Sequence, residues 1–110
     1  MAGLNERESA AVRDLADRLR KRLGKRLVEV RLYGSKARRT DMAESDVDLA
    51  VVVDRHTPAI RIEIFEEVSA AIIAHDLFLD VHISDPRHLK RLRDTGSPYG
   101  RRLRQEGILL

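Results

Sequence analysis

The chain has 110 residues, 43% of them hydrophobic, enough to bury one core and too few for a second domain. It has no cysteine, which excludes a disulfide framework and any thiolate metal site. No apolar run approaches the ~20 residues that span a bilayer, and the start, MAGLNERES, lacks the apolar segment of a signal peptide, so a soluble cytoplasmic protein is expected.

The first predicted element is a helix. Val12, Leu15, Ala16, Leu19 and Leu23 share one helical face. Asn5 and Glu8 have capping-box spacing, and Gly24 can close the far end. Val28, Val30 and Leu32 then alternate with Glu29, Arg31 and Tyr33, the pattern of a half-buried strand that Gly34 stops. Ser35 to Arg39 has room for one or two helical turns. A second strand is expected over Val47 to Val53. Thr57-Pro58 reads as a cap followed by a first-turn proline. Ile64, Phe65, Val68, Ala71, Ile72 and His75 form the face of the helix that follows. Leu77 to Ser84 reads as a third strand, Asp85-Pro86 as another helix start, and Ser97-Pro98 as the start of a last helix ending near Gly107. The fold class expected is α+β, a two-layer arrangement with a small mixed sheet of three to four strands flanked by helices, and residues 1–110 form a single domain.

Charge is unevenly spread. Residues 1–26 carry eight basic and four acidic side chains, residues 27–85 six and twelve, and residues 86–110 seven and two. An acidic centre between basic ends suits a metal site that must also attract a polyanion; the plainer reading is a set of solvated helix faces.

The acidic residues fall into a pattern. Strand side chains alternate, so Asp46 and Asp48 share a face with Ala50 and Val52, opposite the apolar Val47, Leu49, Val51 and Val53. In the third strand Leu77, Leu79, Val81 and Ile83 face one way and Phe78, Asp80 and His82 the other. If the apolar faces lie on one side, Asp80 joins the two carboxylates. Like charges packed together repel unless a cation neutralises them. A hard ion such as Mg²⁺ takes oxygen ligands and keeps positions for water and phosphate, and two ions ~4 Å apart can clamp an in-line phosphoryl displacement. Gly34-Ser35 can supply the other half. Glycine permits a tight turn and close approach of phosphate to backbone, Ser35 offers a hydroxyl and an N–H, and the following turn points more N–H groups at an anion. Lys36, Arg38 and Arg39 add positive charge. Taken singly, each feature also reads as a turn, a cap or solvated charge.

Gly34-Ser35, ten intervening residues and Asp46-Val47-Asp48 resemble the signature of nucleotidyltransferases of the DNA polymerase β superfamily. LYGSKAR and SDVDLAVVV resemble its minimal single-domain members, the MNT proteins. Asp80 stands in a strand about thirty residues on, where that family has its third aspartate, and SPYGRRLRQEGILL resembles the family's closing helix and Glu-Gly-hydrophobic end. The resemblance implies a polymerase β palm-like fold. It implies catalytic and metal-binding roles for Asp46, Asp48 and Asp80, with Asp80 as a base for the acceptor hydroxyl. It implies that Gly34 and Ser35 hold the β and γ phosphates, with Lys36 and Arg38 nearby. Arg39 departs from the glycine common in the family. The cofactors implied are two Mg²⁺ ions, with Mn²⁺ as a substitute, and ATP or another nucleoside triphosphate as substrate. The partner implied is a HEPN-type helical toxin that receives AMP on a hydroxyl, the chain being the antitoxin of the pair. Alternatives are an antitoxin acting by binding alone and a small-molecule adenylyltransferase completed by a second copy in a homo-oligomer. A membrane partner is not expected, and nucleic acid is not expected as the main partner, because four aromatics support stacking poorly.

His82 shares the expected face of Asp80, where it can touch a nucleotide or be a partly buried strand histidine. His56, His75 and His88 stand at element ends, where capping or solvation is usual. No His-x-x-x-His or Cys/His cluster exists, which argues against zinc. Tyr33 reads as packing, and Arg101, Arg102 and Arg104 as a solvated face or a contact for an acidic partner.

Overall fold

The structure is a computed structural model that describes residues 4–33, 47–94 and 108–109. Helix α1 spans Glu6–Leu23. Its capping box is complete: Asn5 Oδ1 accepts from the Glu8 N–H at 2.8 Å, and Glu8 Oε1 accepts from the Asn5 N–H at 3.0 Å. Arg20, Lys21 and Arg22 in the last turn complement the negative helix end. Gly24 ends the helix at φ 56°, its N–H donating to the Arg20 carbonyl. Few other residues adopt that φ without strain.

A four-stranded mixed sheet follows, in the order β3-β2-β1-β4. Strand β1 (Leu27–Tyr33) pairs antiparallel with β2 (Val47–Val53) on one side and with β4 (Ile108–Leu109) on the other. Helix α2 (Pro58–His75) then crosses over, so that β3 (Leu79–Ser84) lies parallel to β2. Helix α3 covers Pro86–Asp94. The fold is α+β, as expected. Among the described residues, no helix is long and apolar enough to cross a membrane.

One face of the sheet carries the core. Val30, Leu32, Val47, Leu49, Val51, Val53, Leu79 and Val81 pack against α1 (Ala11, Val12, Leu15, Leu19, Leu23) and α2 (Ile60, Ile64, Val68, Ala71). Charged side chains tie the two helices together at the rim. Arg22 reaches Glu67 and Arg26, in the 3-10 turn Gly24–Arg26 that follows α1, reaches Glu63, both at 2.8 Å, and His75 Nε2 lies 2.9 Å from Asp14. Exposed pairs of this kind contribute about 1 kcal/mol or less each, so the apolar layer carries most of the stability.

Four expectations change. Val28 does not join the buried face of β1 but is exposed, because the register shifts between Leu27 and Glu29 and leaves it as the extra residue of a bulge. Phe65 lies on the outer face of α2, under the Arg61 guanidinium at 5.1 Å, and Ile62 and Ile73 are also exposed on that helix. The third strand begins at Leu79, not Leu77: Asp76 closes α2 in the left-handed conformation, and Leu77 and Phe78 are spent leaving the turn. Ala50 and Val52 are fully buried although they share the face of Asp48, because that face is covered in part: Tyr33 and Leu89 of α3 pack on Ala50. The expected short helix after Ser35 and the expected last helix from Ser97 lie outside the described residues. Ile108 and Leu109 pair with Leu32 and Arg31 as an edge strand that the sequence pattern had not marked.

Candidate active site

The site follows from strand register. The apolar residues of β2 and β3 alternate with polar ones, and burying the apolar set fixes which way every side chain points. Val47 pairs with Leu79, Leu49 with Val81 and Val51 with Ile83, all on the core side. The same register places Asp48 directly beside Asp80, on the other side. Sliding one strand by a single residue would turn one carboxylate into the core, a costly burial.

Three neighbouring strands contribute side chains here. Tyr33, the last residue of β1, is the partner of Asp48, and Asp48 in turn pairs with Asp80. Two residues on, His82 follows Asp80 on the same face, with Nε2 3.3 Å from Asp80 Oδ2. The Tyr33 ring meets the His82 ring edge-on, with centroids 5.8 Å apart and an interplanar angle of 64°. Asp48, Asp80 and His82 each offer one donor atom within 4.8 Å of the others. The Asp80 and His82 side chains are 42% and 46% exposed, so water and a ligand can reach them. Two carboxylates and an imidazole, close together and open to solvent, are a donor set that fits a divalent cation.

The edge of the site is held by α3. Asp85 caps this helix, its Oδ1 accepting from the His88 N–H at 2.8 Å and its Oδ2 from the His56 N–H at 3.0 Å. These backbone N–H groups, His88 first, hold the Asp85 carboxyl below the usual carboxylate range. They also tie the β2–α2 turn to the start of α3, and α3 brings Leu89 against Tyr33 and Ala50.

Of the residues expected in the site, the structure brings Asp48 and Asp80 together. Asp46, Gly34, Ser35, Lys36 and Arg38 lie outside the described residues, as does Arg39. Tyr33 is packing, as read: it is buried against Ala50. His82 is the residue whose place the strand pattern leaves open, since alternation puts it on the face of Asp80 without saying whether the two side chains meet.

The family model for the nucleotidyltransferase domain matches residues 12–97, more than three quarters of the chain. The chain belongs to the nucleotidyltransferase domain family. The fold of this nucleotidyltransferase domain is shared by solved structures of low sequence identity. A Sulfolobus solfataricus protein proposed to be a nucleotidyltransferase is similar at a TM-score of 0.52 and 18% identity, over 96% of this chain and 86% of that one. Two mutant structures of the toxin–antitoxin MntA–HpeT are similar at TM-scores of 0.54 and 0.56, with 23% and 21% identity, over 97% and 96% of this chain and 72% of each of those. No protein of curated function matches the sequence.

Proposed function

We propose that this nucleotidyltransferase domain, acting as a single minimal unit over residues 1–110, moves AMP from ATP onto a hydroxyl of a partner protein. The partner would be a HEPN-type helical toxin, and the chain its antitoxin. The observation that carries the reading is the pairing of Asp48 with Asp80 in the parallel β2–β3 register, on the solvent-reachable side of the sheet. Similarity in fold to the toxin–antitoxin MntA–HpeT structures supports the setting.

In this reading Asp48 and Asp80, with Asp46, hold Mg²⁺ or Mn²⁺. When bound, the metal supplies charge neutralisation at the triphosphate and acidifies the acceptor hydroxyl. Gly34 and Ser35 cradle the β and γ phosphates through backbone N–H groups and the serine hydroxyl, and Lys36 and Arg38 offset their charge. The acceptor oxygen attacks the α phosphorus, the bond to the β-phosphate oxygen breaks, and pyrophosphate leaves. The hydroxyl proton passes to a carboxylate oxygen of Asp80.

Intact-mass spectrometry of a co-expressed HEPN partner tests the reading. An adduct of one or more AMP groups, present with the wild-type chain and absent with Asp48→Asn, is the expected result. An unmodified partner whose toxicity is nonetheless neutralised would replace this reading with an antitoxin acting by contact alone.

A further inference from the structure

His82 Nε2 lies 3.3 Å from Asp80 Oδ2. On a six-coordinate ion with bonds of about 2.1 Å, adjacent ligand atoms lie about 3 Å apart and opposite ones about 4.2 Å. The His82–Asp80 separation is therefore close to that of two adjacent ligands, and all three donors lie within 4.8 Å of one another.

The imidazole is also held in place. Ala50 of β2 lies between Arg31 of β1 and His82 of β3 in the sheet register. Its methyl group is small enough for the Tyr33 ring to pack over it and reach His82 edge-on. A larger side chain at position 50 would stand between the two rings. Support from Tyr33 and Ala50 restrains a side chain that is otherwise 46% exposed, as expected of a group whose orientation matters.

We propose that His82, through Nε2, is a further protein ligand to the ion that Asp48 and Asp80 hold. An imidazole nitrogen among carboxylate oxygens selects Mn²⁺, or another divalent transition ion that accepts imidazole, over Mg²⁺, which favours oxygen. The inference rests on the reading of Asp48 and Asp80 as metal ligands. It differs from a simpler use of the same geometry, in which His82 only donates a hydrogen bond to Asp80 and the ion sees oxygen alone.

Pulsed electron paramagnetic resonance on the full chain with Mn²⁺ as the only added ligand tests it. The expected result is a coupling from a directly bound nitrogen, altered when histidine carries a different ring-nitrogen isotope and lost in His82→Gln. Competition titrations should show the preference for Mn²⁺ over Mg²⁺ falling about tenfold or more in that variant. Isotope substitution reads the wild-type chain, so a variant that fails to fold does not remove the test. Mn²⁺ bound with no directly coordinated nitrogen, and lost in Asp48→Asn, would overturn the His82 assignment and leave the carboxylate site standing. Nitrogen coupling that persists in a folded His82→Gln chain would likewise overturn it. No Mn²⁺ binding at all would overturn both.

Discussion

Replacing Asp80 by Asn should make the metal-free protein slightly more stable while removing its response to metal. Donor oxygens of Asp48 and Asp80 lie within 4.8 Å. Two unit charges at that separation repel by about 0.9 kcal/mol in bulk water, and physiological salt reduces this to about 0.5 kcal/mol. The high-dielectric value applies because the Asp80 side chain is 42% exposed. Asparagine is nearly isosteric and keeps an oxygen for His82, so little else changes. The melting temperature without metal should rise by about 2–4 °C, given about 4–8 °C per kcal/mol for a domain near this size. Metal at a hundred times its dissociation constant should stabilise the wild type by about 2.7 kcal/mol and the variant far less. Scanning calorimetry with EDTA, and again with Mn²⁺, reads both effects. A metal-free Asp80→Asn chain more than about 1 kcal/mol less stable than wild type would show instead that Asp80 is a structural residue. Equal stabilisation of both chains by metal would refute its role in holding metal.

Three further outcomes are expected. Leu49→Ala, at a fully buried position beneath Asp48, should cost about 2–5 kcal/mol in urea denaturation, since the cavity adds to the lost transfer energy. Asp85→Ala removes the cap from α3 and both backbone N–H contacts; a loss of about 1–2 kcal/mol is expected, with Tyr33 fluorescence reporting the loosened cover over Ala50. Asp14 is held below the usual carboxylate range, first by the hydrogen bond with His75 and then by Arg18. Because its folded pKa is depressed, the stability it contributes is present above the unfolded carboxylate pKa of about 3.9. That contribution is lost as pH falls through the lower folded value. Urea midpoints measured from pH 6 down to pH 3 should therefore fall less steeply in Asp14→Asn than in wild type.

The elements that could be read from sequence are those with a strong local signal. The Asn5–Glu8 box, the Thr57-Pro58 start and the Asp85 cap each depend on a few adjacent residues, and each forms as expected. That Asp48 and Asp80 share a face was legible because burial of Val47, Leu49, Leu79 and Val81 turns both carboxylates the other way; that they stand side by side is set by the strand register. Val28 misled because a bulge shifts alternation without a local sequence mark. Phe65 misled because α2 is apolar on more than one side, so periodicity could not choose the inward face. Strand β4 is two residues long, and its pairing with β1 is set by tertiary contact, which no window of sequence carries. The meeting of Tyr33, Ala50 and His82 was invisible for the same reason: it spans three strands.

In the proposed function, Asp48 and Asp80 serve transfer at the α phosphorus of a nucleoside triphosphate. The most direct measurement incubates the chain and a purified helical partner with ATP labelled at the α or at the γ phosphorus, with Mn²⁺ or Mg²⁺. Label from the α position should appear on the partner and label from the γ position in pyrophosphate. Both should vanish in Asp48→Asn and Asp80→Asn. Transfer of γ label to the partner, or α transfer undiminished in both variants, would contradict the account.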